Sequence, residues 1–334
     1  MAVHAPALPS DEERRLLRQA VRGFLAAHWP VGDAVKHAVD ADALTRIWTG
    51  LAQQGLTALG SNPEEAGLRE ICIVMEELGR AACPAPVLAA ALCNLVRLSV
   101  GGDAVALFDL LHAGQVRPAF SFGALDGDAN AGAVRVNDGR VSGALRFVEA
   151  AASATHLIVA LAEPCGLAVI DFAVSGVTIT TTRALGADGL AEITLDSAPG
   201  SLIPVPQDRF AELALIARLA RLARAHGAAR RAFEMAVDYA KERKQFGKPI
   251  GSFQAIQHKL ANCLIAIEGV RLTLHNAARQ YDLAANDWRY FASTALAFGT
   301  DALRKVGLPR CPRKCVCTLH SRSSICAPVS SSIW

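Results

Sequence analysis

The sequence predicts an α+β fold: an N-terminal helical domain, a middle β-barrel or sandwich domain, and a C-terminal helical bundle. Three observations predict it. Apolar residues recur at helical spacing before residue 100, short β-type runs separated by turn signals fill 115–206, and long alanine-rich helical patterns follow to about 306. The implied division is 1–114, 115–206 and 207–306, with an atypical Cys/Ser/Arg-rich tail over 307–334.

Ser10-Asp11-Glu12-Glu13 reads as a helix start, with a capping hydroxyl and acids in the first turn. Leu16, Leu17, Ala20, Val21, Phe24 and Leu25 then repeat at helical spacing. Further helices are expected over 41–54, 65–80 and 86–98, and Pro84-Ala85-Pro86 by itself reads as a helix start with Pro in its first turn.

In the middle segment, runs beginning at Ala133, Arg140, His156, Leu167 and Val177 have strand character, and Ile193-Thr194-Leu195 closes the series. Asn137-Asp138-Gly139 between the first two is a hairpin signal. From 211 to about 245 runs one helical pattern, roughly 50 Å long at 1.5 Å per residue. Ala217, Ala220, Ala223, Gly227 and Ala228 mark a face for close packing on it, and two more helices are expected over 253–281 and 285–306.

Composition excludes several classes. An apolar share of 52% with 19% charged residues excludes disorder for most of the chain. Arg310, Arg313, Lys314 and Arg322 give the tail +4 without an acid, so the preceding 309 residues carry −1 of the total +3 and show no nucleic-acid footprint. No basic start followed by an apolar core opens the chain. The most apolar stretch, 81–96, is broken by Pro84, Pro86 and Asn94 and is too short to span a bilayer. Nine cysteines without a secretory segment point to a reducing cytoplasm.

The densest chemistry stands between the two long helical patterns, at Arg243-Lys244-Gln245-Phe246-Gly247-Lys248-Pro249-Ile250, followed by Phe253-Gln254. Arg243 offers a planar, permanently charged fork suited to phosphate oxygens, and Gln245 an amide that both donates and accepts. Gly247 and Pro249 fix a tight change of direction. A helix-capping turn with a solvated arginine is the plainer alternative.

These residues carry a resemblance. The series Tyr239-Ala240, Arg243, Gln245-Phe246-Gly247, Pro249-Ile250, Phe253-Gln254 resembles the hallmark of acyl-CoA dehydrogenases, flavoenzymes that desaturate acyl-CoA thioesters. Glu76-Glu77-Leu78-Gly79-Arg80 with Pro84-Ala85-Pro86, and Trp48 with Leu51-Ala52 and Gly55-Leu56, are similar to further family segments, so the likeness runs from about 10 to about 306. It implies FAD as cofactor, an acyl-CoA substrate walled partly by the later N-terminal helices, an electron-transfer flavoprotein as acceptor, and a dimer or tetramer. By position, Arg243 resembles the arginine that meets the diphosphate of FAD bound in a partner subunit. Gln245 and Phe246 belong to the same cofactor-facing loop, and Gln254 matches a glutamine reaching FAD across the interface. Arg218 aligns with an arginine near the acyl-CoA, although Arg218, Arg221 and Arg224 at three-residue spacing also describe a solvated or CoA-facing helix edge.

The chain also departs from the family. The flavin loop corresponds to Phe120-Ser121-Phe122-Gly123-Ala124-Leu125-Asp126-Gly127-Asp128, only loosely similar; Ser121 offers a hydroxyl to the ring or is a solvated turn serine. The next flavin-contacting strand reads Arg146-Phe147-Val148-Glu149-Ala150-Ala151, without its usual hydroxyl. The reaction needs a carboxylate base, which the family supplies from a C-terminal loop or from the long helix just before the position of Arg218. Here that helix position is Ala217, and the glycine-rich segment expected near Arg310 is missing, so the catalytic residue is unknown. Cys311, Cys315, Cys317 and Cys326 with His320 fit a zinc knuckle poorly, so no metal is expected. The abrupt change at Gly307 suggests a displaced reading frame. Three functions follow: a FAD-dependent acyl-CoA dehydrogenase subunit, a non-catalytic partner that completes the FAD site of a catalytic subunit, or an inactive truncated product.

Overall fold

The computed structural model describes residues 8–97, 105–121, 134–182 and 190–307. Its order is helices, then β-sheets, then helices. Helix α1 (Asp11–His28) begins on the expected capping box: the Glu13 N–H donates to Ser10 Oγ at 3.2 Å, and the Ser10 N–H to Glu13 Oε2 at 2.7 Å. Its apolar stripe buries Val21 and Leu25. After the short α2 (Ala34–His37), Asp40 caps α3 (Ala41–Gln53), accepting from the N–H groups of Asp42 and Ala43.

Helix α4 (Leu68–Arg80) starts three residues later than its pattern suggests. Asn62 is the reason, because its own carbonyl and side chain hold 64–66 in a turn. The first N–H groups of α4 are then capped from 214 residues away: Asp282 Oδ1 accepts from Leu68 N at 2.6 Å. Helix α5 (Val87–Arg97) is almost wholly buried. Helix α6 (Val105–His112) is an addition to the sequence expectation; the His112 carbonyl accepts from Thr57 Oγ1 at 2.9 Å.

The middle segment is a sandwich of two four-stranded sheets. One sheet joins β2 (Val134–Asn137), β3 (Arg140–Glu149), β7 (Leu190–Pro199) and β6 (Val177–Thr182) in that order. The other joins β1 (Pro118–Ser121), β4 (His156–Leu161), β5 (Gly166–Asp171) and β8 (Ser201–Pro204). Val141, Leu145, Leu157, Ile170 and Ile193 fill the space between them. The β2–β3 turn falls on Asp138 and Gly139, at φ +46° and +71°, as the Asn-Asp-Gly signal requires. Strands β1 and β8 have too little alternation to be read from sequence. Strand β7 runs past Ile193-Thr194-Leu195 at both ends because it pairs along β3, through two register shifts.

Helices α7 (Gln207–Glu242), α8 (Gln254–Asp282) and α9 (Trp288–Gly307) form the C-terminal bundle. Ala217, Ala220 and Ala223 are buried, and α7 crosses α4 where both helices carry glycine, at Gly227 and Gly79. None of the described helices is long and apolar enough to cross a membrane.

Candidate cofactor corner

Helix α7 ends where Arg243 leaves helical geometry, its N–H donating to the Tyr239 carbonyl at 2.9 Å. The Ile250 N–H returns to the Arg243 carbonyl at 2.8 Å and closes the loop. Inside it, β9 (Lys244–Gln245) and β10 (Lys248–Pro249) pair antiparallel. Phe246 and Gly247 make the two-residue turn, at φ +52° and +78°. Glycine suits that conformation, whereas a bulky phenylalanine is strained in it. Phe246 is 93% exposed and meets the Phe253 ring edge-on at 6.2 Å. Lys248 Nζ lies 4.6 Å from the centre of the same ring, so Phe253 serves as a pedestal for both.

The structure gathers Arg243, Gln245, Phe246 and Gln254 on this exposed corner. The Arg243 guanidinium and the Gln254 amide make no hydrogen bond or ion pair with any described residue. Gln245 is different: its Nε2 donates to the Lys244 carbonyl at 2.8 Å, which braces the hairpin. Lys241, Arg243, Lys244 and Lys248 stand against one acid, Glu242, within 241–248. An uncommitted fork among exposed cations fits the diphosphate of a dinucleotide cofactor. Lys244, Lys248 and Phe253 fall at positions where the motif reading assigned no role; the basic spacing was the available signal.

Arg218 lies 25 residues back along α7, roughly 40 Å from Arg243 at 1.5 Å per residue. It is half-buried, as are Arg221 and Arg224. The two arginines therefore serve different places. On the same helix, Arg224 Nη1 reaches Glu149 Oε2 at 3.4 Å and joins α7 to the end of β3. Just before that point β3 bulges: Phe147 takes φ +56° and is 60% exposed. Ser121 is buried at the end of β1, which removes the solvated-turn alternative. The remainder of the expected flavin loop, 122–128, lies outside the described residues, as do Cys311, Cys315, Cys317, Cys326 and His320 of the tail. Ala217, where the resemblance implies a helical base, is 1% exposed in the core.

The Glu76-Glu77-Leu78-Gly79-Arg80 segment has a structural role that its sequence did not reveal. Glu76 takes Arg18 at 2.6 Å and faces His226 Nδ1 at 3.2 Å. Glu77 takes Arg18 at 3.0 Å and Arg22 at 2.8 Å, and Arg80 forks onto Glu234. The segment thus ties α1 and α7 to α4. Burial pushes the Glu76 carboxyl up, but His226 and Arg18 outweigh it and hold the group below the usual carboxylate range.

Residues 11–104 match the acyl-CoA dehydrogenase N-terminal domain, and residues 210–308 match the acyl-CoA dehydrogenase C-terminal domain. The chain is 31% identical over 276 residues to acyl-CoA dehydrogenase IpdE2 of Mycobacterium tuberculosis, covering 80% of this chain and 76% of that protein. The chain belongs to the acyl-CoA dehydrogenase family. IpdE2 of Mycolicibacterium smegmatis is 29% identical over 303 residues, covering 86% of this chain and 84% of that one. Among solved structures, the Tcur3481-Tcur3483 steroid ACAD superposes with a TM-score of 0.75 at 26% identity, over 89% of this chain and 85% of that one. The ChsE4-ChsE5 complex from Mycobacterium tuberculosis shares the fold, with a TM-score of 0.77 at 20% identity over 95% and 90%. This acyl-CoA dehydrogenase-family chain carries the Arg243–Gln254 corner on its surface and buries Ala217 in its core.

Proposed function

We propose that this chain is a subunit of a FAD-dependent acyl-CoA dehydrogenase, whose Arg243–Gln254 corner grips the FAD held by a neighbouring subunit. The observation that carries this reading is the corner itself. A guanidinium and an amide without partners among the described residues flank an exposed, cationic hairpin, roughly 40 Å from the chain's own Arg218. FAD, when bound, supplies the hydride acceptor for α,β-desaturation of an acyl-CoA thioester. Arg243 neutralises the diphosphate and Gln254 orients it. Gln245 holds the hairpin, Phe246 covers the cofactor, and Arg218 faces the acyl-CoA.

The steroid ACAD, by its name, supports bulky, steroid-derived acyl groups as the substrate class. An electron-transfer flavoprotein as electron acceptor follows from the family reading alone. The five cysteines among the described residues form no disulfide, in keeping with a cytoplasmic setting. The working domain division remains 1–114, 115–206, 207–306 and the tail.

Ala217 favours a second reading. With the helical base position closed into the core, the chain acts as the non-catalytic partner in a heteromer, completing the FAD site of a catalytic subunit. The visible spectrum separates the readings. Purified alone, a flavin spectrum bleached by acyl-CoA supports an independent enzyme. Colour that appears only with a co-expressed second acyl-CoA dehydrogenase subunit supports the partner role. Colourless, insoluble protein in both cases rejects both and leaves an inactive product.

A further inference from the structure

Where the start of α4, the start of α7 and the α8–α9 turn meet, the fold leaves a cavity of about 650 Å³, within the range of small-molecule sites. Its wall is apolar, built by Ala66, Leu68, Ile71, Leu95, Ala285 and Trp288. Four charged side chains also reach it, and their partners decide what it accepts. Glu212 is taken by Arg209 and accepts the Tyr281 hydroxyl at 2.9 Å. Asp282 accepts from Leu68 N at 2.6 Å, from Arg69 N at 3.2 Å and from Arg69 Nε at 2.8 Å. Both carboxylates are therefore spent on the protein.

The cations are only partly engaged. Arg209 pairs with Glu212 and its Nη2 donates to the Leu95 carbonyl at 3.2 Å, but its Nε is buried without a hydrogen-bond partner among the described residues, and a buried charged donor in that state is costly. Arg289 lies exposed beside Trp288, 5.9 Å from its ring centre, and pairs with no carboxylate among the described residues. With Arg69 counted against Asp282, the lining keeps a surplus of one positive charge. Burial and Glu212 push the Tyr281 hydroxyl up to about 12, so it remains a donor at neutral pH.

We infer that this cavity binds a monocarboxylate with an apolar body, its head at Arg289 and Arg209 and its chain on Trp288 and the leucine wall. A dianion would meet Glu212 and Asp282 at close range, and a cation would find no free acid. A neutral molecule would leave the Arg289 guanidinium and Arg209 Nε without an anionic acceptor. The inference does not rest on the flavin reading, because none of the lining residues belongs to the Arg243 corner.

The test uses the full chain, with decanoate and its neutral analogue decanamide titrated at pH 8 below micellar concentrations, followed by calorimetry and by tryptophan emission. Expected are one saturable decanoate site, binding of decanamide weaker by about tenfold, and a similar loss in Arg289→Gln, which alters an exposed side chain. Ala285→Leu, which narrows the cavity without altering a charge, lowers decanoate affinity through a different change. Arg243→Ala binds decanoate like the wild type. Non-saturating binding, equal affinity for decanoate and decanamide, or unchanged decanoate affinity in both cavity variants overturns the inference. So does loss of decanoate binding in Arg243→Ala, which would move the ligand to the flavin corner.

Discussion

Gly227 of α7 lies so close to Glu76 of α4 that a Cβ added to it would stand 1.9 Å from the Glu76 carbonyl oxygen. The contact is reciprocal: a Cβ on Gly79 would stand 1.9 Å from the carbonyl oxygen of Arg224. Each helix thus presents a glycine to the other's backbone, and backbone cannot swing aside as a side chain can. Gly227→Ala forces the helices apart and, as an overpacked substitution, destabilises the chain by about 1–3 kcal/mol. A urea denaturation midpoint no lower than that of the wild type would refute this close crossing.

Asp282 links the two helical domains by capping α4 and pairing with buried Arg69. Asp282→Ala leaves both the first N–H groups of α4 and the Arg69 guanidinium without their acceptor. Removing one partner of such a buried pair costs about 3–5 kcal/mol. Loss of helical circular dichroism at lower temperature than in the wild type is the expected readout; an unchanged melting curve contradicts the interdomain cap.

Glu76 makes stability depend on acid in a defined direction. Its folded pKa lies below the ordinary value of 4.5, so the stabilisation is present above 4.5 and is lost as pH falls through the depressed value. Glu76→Gln is therefore less stable than the wild type at pH 7, but its melting temperature falls less steeply between pH 4.5 and pH 3. Parallel acid limbs in the two proteins would remove Glu76 from the account.

Phe246 holds a left-handed backbone conformation that costs about 1–3 kcal/mol for such a residue. Phe246→Gly relieves the strain and raises the melting temperature of the isolated chain, while lowering FAD retention in the assembled enzyme. A substitution that lowers both would show that the phenylalanine stabilises the hairpin rather than serving the cofactor.

Arg243→Lys keeps the charge of the corner and removes its fork. FAD affinity of the assembly is expected to fall about tenfold, measured by the fluorescence of released flavin, while thermal stability of the isolated chain is unchanged because Arg243 is exposed and unpaired among the described residues. Equal retention by lysine would mean that point charge alone suffices.

Much of the corner was legible before the structure because its information is local. Arg243, Gln245, Phe246, Gly247 and Gln254 are neighbours in the chain, and a short loop between two helices keeps them neighbours in space. The Ser10 capping box and the Asp138-Gly139 turn were readable for the same reason: a cap or a tight turn is decided within a few residues. Strands β1 and β8 escaped because four residues carry little alternation, and their strand state depends on distant partners.

By itself the sequence determined the helix–sheet–helix order and the presence of a cationic, amide-bearing turn after a long helix. Periodicity, turn chemistry and residue type are properties of adjacent positions. Only the tertiary structure decided that Glu76, Glu77 and Arg80 are a clamp on α1 and α7, that Asp282 caps a helix 214 residues away, and that Arg289 and the buried Arg209 Nε face a cavity whose lining keeps one surplus positive charge. Those facts depend on which charges meet and which remain without partners after packing. No local pattern encodes that pairing, because each pair is brought together by elements far apart in the chain.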